Sequence, residues 1–499
     1  MTDGMFSTYP RGALARAASV LVCLLASAFL LWCCGPGEKN DTAPAPGEEK
    51  TETAFEPETE NPPETEFPDR DMGGKQFNIL TSGWWGDGTG IYEVTDLVPA
   101  EILGEPVNDA AYNRKIKIED AYNCKINQVI GSYGPEEDAA KLQKAVRAGD
   151  NTYDIAMMRG LVFQNLLTGN YLSDLDSLEN IDFTNGWWNQ KCSEALKIGG
   201  RRYGVSGYFS MLEINLAAII MFNKTLVTNY ALESPYELVK SGKWTFDKMI
   251  SMAKAISRDL DGDGMMGEND LWGINYDRDR IWNILNACNI KMLEPGGDGY
   301  PRINIDAAEN LAKIQKIFID LFDESYSSNN RRIGSSFSGD GVLFFFRFAL
   351  AVTQWRAEEV DFGIIPAPKY DENQKDYISN TYGFGLPVIC VPETNGDTAN
   401  TGFFMEVLSY EGQKRLVPEY YENLLKTKGA RDDESAAMLD YIFGNLNYET
   451  GTLINIGNFA QDICAMCETL DTNIVSFVEK NKPPYEKALA KIIEEIKNN

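Results

Sequence analysis

Between Lys75 and Met158 the chain alternates short apolar runs with longer amphipathic ones. Lys75-Gln76-Phe77-Asn78-Ile79-Leu80 reads as a strand, 108–122 as a helix, 124–130 as a strand, 135–148 as a helix and 153–158 as a strand. Few folds accept that order, because right-handed crossovers place such strands parallel in one sheet with helices on its faces. Ligands of these sheets gather beyond the carboxyl ends of the strands. Trp84 and Trp85 after the first strand, and Met158, Arg159 and Gly160 after the third, are therefore expected on one rim. The alternation continues with an apolar run at 217–222 and a helix starting near Thr245, whose hydroxyl can cap it while Asp247 occupies the positive first turn. Further helices are expected over 306–323 and 398–410, a strand over 271–276, and a Gly/Ser-rich loop over 327–340.

The chain has 499 residues, 43% of them hydrophobic, which suffices for a core in two or three units. Its 46 basic and 74 acidic residues give a formal charge of -28, so contact with phosphate backbones or anionic lipid is opposed and nucleic acid is not an expected partner. There is no histidine, which removes Ser-His and Cys-His nucleophile pairs and imidazole metal sites. Arg11 and Arg16 precede an uncharged run over 17–32 that is short for a membrane span and reads as the apolar part of an export signal. With Leu31-Trp32-Cys33-Cys34 it resembles a bacterial lipoprotein signal, implying a signal peptide over 1–33 and lipid attachment at Cys34, or at Cys33. Residues 34–73 are rich in Glu, Thr and Pro and are expected to form a disordered, extended tether. Cys124, Cys192, Cys288, Cys390, Cys464 and Cys467 are too scattered for a disulfide scaffold, and the last two read as structural thiols or one local disulfide.

Several motifs stand in a telling order. Gly199-Gly200-Arg201-Arg202-Tyr203-Gly204-Val205 is followed by Met221-Phe222-Asn223-Lys224 and Gly242-Lys243-Trp244-Thr245-Phe246-Asp247. Leu350-Ala351-Val352-Thr353-Gln354-Trp355, Phe362-Gly363-Ile364-Ile365-Pro366-Ala367-Pro368 and Tyr382-Gly383-Phe384-Gly385 come after them. This succession resembles extracellular solute-binding proteins of the maltose-binding class over about 75–420. The resemblance implies an α/β, two-lobed, periplasmic-binding-protein-like (type II) fold, each lobe a mostly parallel sheet flanked by helices. Lobe 1 would span 74–215 and 381–420, lobe 2 would span 216–380, and the C-terminal helices of 421–499 would belong mainly to lobe 2. Crossings between lobes are expected near 215–220 and 379–382.

It further implies a monomer on the outer face of the membrane, attached through its lipid alone, that passes a mono- or oligosaccharide to an ABC-transporter permease. Such receptors stack sugar faces on aromatic rings and pair the hydroxyls with polar side chains. Trp84, Trp85, Arg159, Asn215, Trp355 and Tyr382 are the ligand-binding candidates, although a single ring is more often part of core or lobe surface than a ligand platform. In the resemblance, Trp355 ends a strand as the cleft aromatic.

The segment 259–270 places Asp259, Asp261 and Asp263 at loop positions one, three and five, Gly262 and Gly264 between them, Met265 at seven and Asp270 at twelve. Converging oxygens of that pattern suit a structural Ca2+ of the EF-hand type, although an Asp at twelve has a shorter arm than the usual Glu. An acidic, solvated turn is the other reading. A carboxylate-based glycoside hydrolase, with Asp154, Glu213 or Glu294 as acid or nucleophile, and a surface sensor or adhesion module on the same fold are the rival functions. Nothing in the sequence couples a particular carboxylate pair, and no nucleophile elbow or phosphate loop is present.

Overall fold

The computed structural model describes residues 63–83, 94–132, 134–330, 341–355 and 359–498. In chain order, the strands of its two main sheets are β1 (Lys75–Thr81), β2 (Cys124–Ile130), β3 (Ile155–Arg159), β4 (Ala218–Asn223), β5 (Trp272–Asn275), β6 (Ser327–Ser328), β7 (Val342–Phe348), β8 (Phe362–Ile365) and β9 (Pro387–Cys390). The first sheet runs β9-β3-β1-β2, with β1 parallel to β2 and β3 and β9 antiparallel to β3. The second runs β6-β5-β7-β4-β8, with β5 parallel to β6 and β7 and β4 antiparallel to both its neighbours. Each sheet carries its own helices, which gives a two-lobed α/β architecture.

Burial follows the sequence pattern. The strands β3, β4 and β7, apolar but for Arg159, Asn223 and Arg347, are buried along their whole length, as strands covered on both faces must be. At the sheet edge, β2 alternates instead: Cys124 and Ile126 are buried and Lys125 is exposed. Helix Pro106–Tyr122 begins with proline in its first turn and ends at Asn123, whose φ of 46° closes it in the left-handed conformation. Helix Pro135–Arg147 has Glu136, Glu137 and Asp138 in its first turn and Lys144 and Arg147 in its last, the arrangement that complements the helix dipole. Thr245 Oγ1 accepts from Lys248 N at 3.2 Å and starts helix Phe246–Ile256.

The chain passes between the sheets at two adjacent places. Ala217 and Thr381 form an antiparallel bridge, and Tyr382 N donates to Leu216 O at 3.0 Å. Ala349, just past β7, returns to the same spot and donates from N to Ala217 O at 2.9 Å. The described residues, from 63 onward, belong to one compact unit.

Three expectations need correction. The tether expected to reach residue 73 ends earlier, because Phe67 packs against Trp187, Phe403 and Tyr410, and Arg70 Nη1 donates to Ala399 O at 3.0 Å and to Asn400 Oδ1 at 2.9 Å. One aromatic and one arginine are enough to dock an otherwise polar segment. Leu350–Gln354 is a short helix rather than a strand; the strand is β7 before it, and Trp355 follows the helix. The interval 327–340 opens with β6, whose two serines pair with β5; 331–340 lie outside the described residues. The six cysteines from Cys124 onward are buried free thiols, with Cys464 and Cys467 on helix Phe459–Thr469.

Candidate functional site

The rims at the carboxyl ends of the two sheets meet at the crossing. In the first lobe, buried Asp138 fastens the ends of β1 and β2: it accepts from Gly83 N at 3.0 Å, Ser132 N at 2.5 Å and Ser132 Oγ at 2.9 Å. Arg159, buried, ends β3. Gly160 follows, and its backbone lies so near the returning chain that a Cβ there would sit 2.1 Å from Gly383 O and 3.0 Å from Leu453 O. Leu161 N donates to Phe384 O at 3.2 Å, two residues beyond Tyr382.

In the second lobe, β5 delivers Asp277, Arg278, Asp279 and Arg280 to the rim, and β7 delivers Arg347 and Phe348. The Tyr382 hydroxyl donates to Asp279 Oδ2 at 2.7 Å. The Arg280 guanidinium lies 3.4 Å from the centre of the Phe348 ring and 5.4 Å from that of Tyr382. Asp277 Oδ2 is 3.6 Å from Arg280 Nη2 and 4.0 Å from Arg347 Nη1, while Oδ1 accepts from Asn330 Nδ2. Burial, reinforced by the neighbouring Arg280, lowers Arg347 to about 10, against the pull of Asp277. Arg347 in turn lies 5.0 Å from the Trp355 ring. Behind Tyr382 a small pocket, bordered by Asn283, Asn286 and Asn380, has room for about one water.

Among the sequence candidates, Trp355 and Tyr382 are joined through Arg347, Asp277 and Arg280 into one rim. Arg159 borders the turn that carries Tyr382, through Gly160 and Leu161. Asn215 ends the helix leading into the crossing, but its side-chain oxygen accepts from the Tyr420 hydroxyl. Trp84 and Trp85 lie outside the described residues, as does Cys34. Asp277, Asp279, Arg280 and Arg347 were not singled out from sequence. The signal was there: a run of alternating charges directly after a strand is a rim segment by the same rule that placed Arg159.

The acidic loop also has definite geometry. Asp259, Asp261 and Asp263 are exposed and bring carboxylate oxygens within 4.8 Å of one another. Asp259 holds the turn by accepting from Gly262 N at 2.6 Å and Gly264 N at 2.8 Å. Gly262 and Gly264 have φ of 76° and 85°, values that favour glycine. Asp270 does not join the three; it is 2% exposed and accepts from Leu260 N at 2.7 Å and Gly267 N at 2.6 Å. Those two donors hold its carboxyl below the usual range. The short aspartate arm closes the base of the loop instead of reaching its centre, and Met265 stands exposed at the tip side.

Two of the three carboxylates of a hydrolase reading have structural partners, and the third is a surface group. Asp154 Oδ1 pairs with Lys75 at 3.1 Å, and Glu294 is exposed on hairpin strand Leu293–Pro295. Glu213 is buried and accepts from Ser206, Tyr448 and Asn189; burial raises its carboxyl above the usual glutamate value.

No protein-family model matches the chain, and no curated protein does. Solved structures do. An ABC substrate-binding protein of Listeria monocytogenes in complex with cycloalternan is 12% identical, with a TM-score of 0.51 over 85% of this chain and 99% of that one. The cyclic α-maltosyl-1,6-maltose binding protein of Arthrobacter globiformis is 15% identical, with a TM-score of 0.51 over 86% of this chain and 100% of that one. A cyclo/maltodextrin-binding protein complexed with maltotetraose is 13% identical, with a TM-score of 0.51 over 86% and 98%. Paired sheets, adjacent crossings and facing rims agree with that likeness: the chain has the two-lobed, type II fold of ABC solute-binding proteins.

Proposed function

We propose that the protein is the solute-binding component of an ABC importer, capturing a carbohydrate between its lobes and presenting it to a permease. The observation that carries this is the rim of rings and charges at the crossing, in a fold shared with solved proteins that hold cycloalternan or maltotetraose. Tyr382 and Trp355 supply apolar faces, and Arg159 supplies donors from the other lobe. Ligand favours the closed form because only there do both lobes touch it, so binding shifts the population towards closure. No bond of the ligand is broken.

Calcium, in this reading, is a structural clip held by Asp259, Asp261 and Asp263 with the main-chain oxygen of Met265. Cys34 carries the lipid, and the chain between it and the docked Phe67 sets the distance from the membrane. Among the described residues no helix is long and apolar enough to cross a membrane.

Thermal shift against mono- and oligosaccharides, with and without calcium, tests this, since whatever binds the native state raises its stability. Spectroscopic labels on the two lobes should approach each other when the stabilising sugar is added. Trp355→Ala should weaken that sugar by roughly 1–3 kcal/mol. A panel without a single stabilising sugar, or a sugar that leaves the label distance unchanged, contradicts the receptor.

A further inference from the structure

The C-terminal helices Phe459–Thr469 and Ile474–Asn498 are fastened to the second lobe. Trp282 Nε1 donates to Ala460 O at 2.8 Å, Asn329 Nδ2 to Cys467 O at 2.7 Å and Gln315 Nε2 to Thr472 O at 2.7 Å. The hairpin 293–303 of that lobe is tied to the segment just before these helices, where Glu449 Oε1 accepts from Met292 N at 3.0 Å and from Leu293 N at 3.1 Å. These anchors come from separate elements of the second lobe, so hairpin and helices must move with it as one body.

The same body also reaches the first lobe, at three places. Gln164, directly after the short helix Gly160–Phe163 that follows β3, donates from Nε2 to Asn458 Oδ1 at 3.0 Å and accepts from Gly457 N at 2.8 Å. One amide thus uses its donor and its acceptor on the same turn. That turn is shaped for the purpose: Asn455, Gly457 and Asn458 have φ of 49°, 61° and 66°, left-handed values that glycine and asparagine tolerate best. Further on, Gly169 N donates to a carboxylate oxygen of Glu495. The third place is the hairpin 197–202, where Gly199 N donates to Gly299 O at 2.9 Å. A Cβ on Gly199 would sit 2.5 Å from the Tyr300 ring, and Lys497 Nζ lies 4.5 Å from the centre of that ring.

We propose that this body is a clasp: it travels with the second lobe, and its contacts with Gln164, Gly169 and Gly199 hold the two lobes together, so that opening must break them. Two lobes joined by a hinge exchange between open and closed forms, and contacts made only in one form shift the balance towards it. All the partners here belong to the chain itself, so the clasp favours the closed form before any solute arrives. It goes beyond the receptor reading, since it governs opening whatever the cleft accepts.

The test uses the full-length protein without ligand, carrying spin labels on a non-natural ketone amino acid at Ile130 in the first lobe and at Ile319 in the second, both exposed. The distance distribution of the otherwise unaltered protein should be mostly short. Gln164→Ala combined with Glu495→Ala should raise the ratio of long to short distances about tenfold, the equivalent of one well-made hydrogen bond. Gln143→Ala is the control, because Gln143 Nε2 donates to Asn165 O at 2.7 Å within the first lobe, and it should leave the distribution as it was. If the double variant does not fold, Gln164→Ala alone decides, with a smaller shift in the same direction. A protein already at the long distance, a distribution that the variants leave unchanged, or an equal shift from Gln143→Ala overturns the clasp. None of these results bears on whether a sugar binds, so the receptor reading stands or falls separately.

Discussion

The ring cluster around Trp187 and the one around Tyr382 use similar side chains in opposite ways. Around Trp187, the rings of Phe67 and Tyr410 stand 6.3 and 5.2 Å away, and neighbouring Trp188 donates to Glu406 at 2.8 Å. The Trp187 indole Nε1 is itself buried with no hydrogen bond among the described residues, and the packed rings fasten the N-terminal segment to the first lobe. Around Tyr382, two rings pack against a guanidinium that makes no hydrogen bond among the described residues and pairs with Asp277 at 3.6 Å. Aromatic content alone therefore does not locate a binding surface; what sets the second cluster apart is a charged group packed among its rings at the crossing between the sheets.

Four substitutions test that contrast. Trp188→Ala should have the largest effect, about 3–5 kcal/mol of lost stability by chemical denaturation, from the cavity and from a buried Glu406 deprived of its donor. Ligand affinity of the folded fraction should stay unchanged, and a change in it would break the distinction. Gly160→Ala should cost roughly 1–3 kcal/mol in the same measurement, because the new methyl meets the backbone oxygens of Gly383 and Leu453 rather than a yielding side chain. A neutral outcome would mean that the two rims are not held so tightly. Tyr382→Phe removes the hydrogen bond to Asp279 and should lower affinity by about 0.5–1.5 kcal/mol, with a smaller loss of stability. Equal losses in both would make Tyr382 a packing residue like Trp188.

The smallest effect is in pH. Burial raises the Glu213 carboxyl, so the folded state holds its proton more firmly than the unfolded state does. That contribution is fully present below the ordinary glutamate value and is lost as pH rises through the raised one. The stability difference between the wild type and Glu213→Gln should therefore fall with rising pH across that window. A flat difference would show that Ser206, Tyr448 and Asn189 offset the burial.

Local pattern made much of both lobes legible. The strand at Cys124–Ile130 and the cap at Thr245 follow from alternation and from a hydroxyl placed before an apolar helix. Leu350–Gln354 was misread because a five-residue apolar run has no period of its own, and β7 alongside it had already taken the central sheet position. The docked Phe67 was hidden because its partners lie over a hundred residues away.

By itself the sequence determined the alternation of strands and helices, the acidic character of the chain, and the acidic loop at 259–263, all of which are read from composition or from neighbours within a few residues. Only the tertiary structure decided that Asp270 closes that loop from below, that Ala217 and Thr381 adjoin, and that Arg280 sits on Phe348 and Tyr382 with no hydrogen bond among the described residues. Those outcomes join segments far apart in the chain, and whether a buried charge finds a partner depends on which distant groups folding brings within reach.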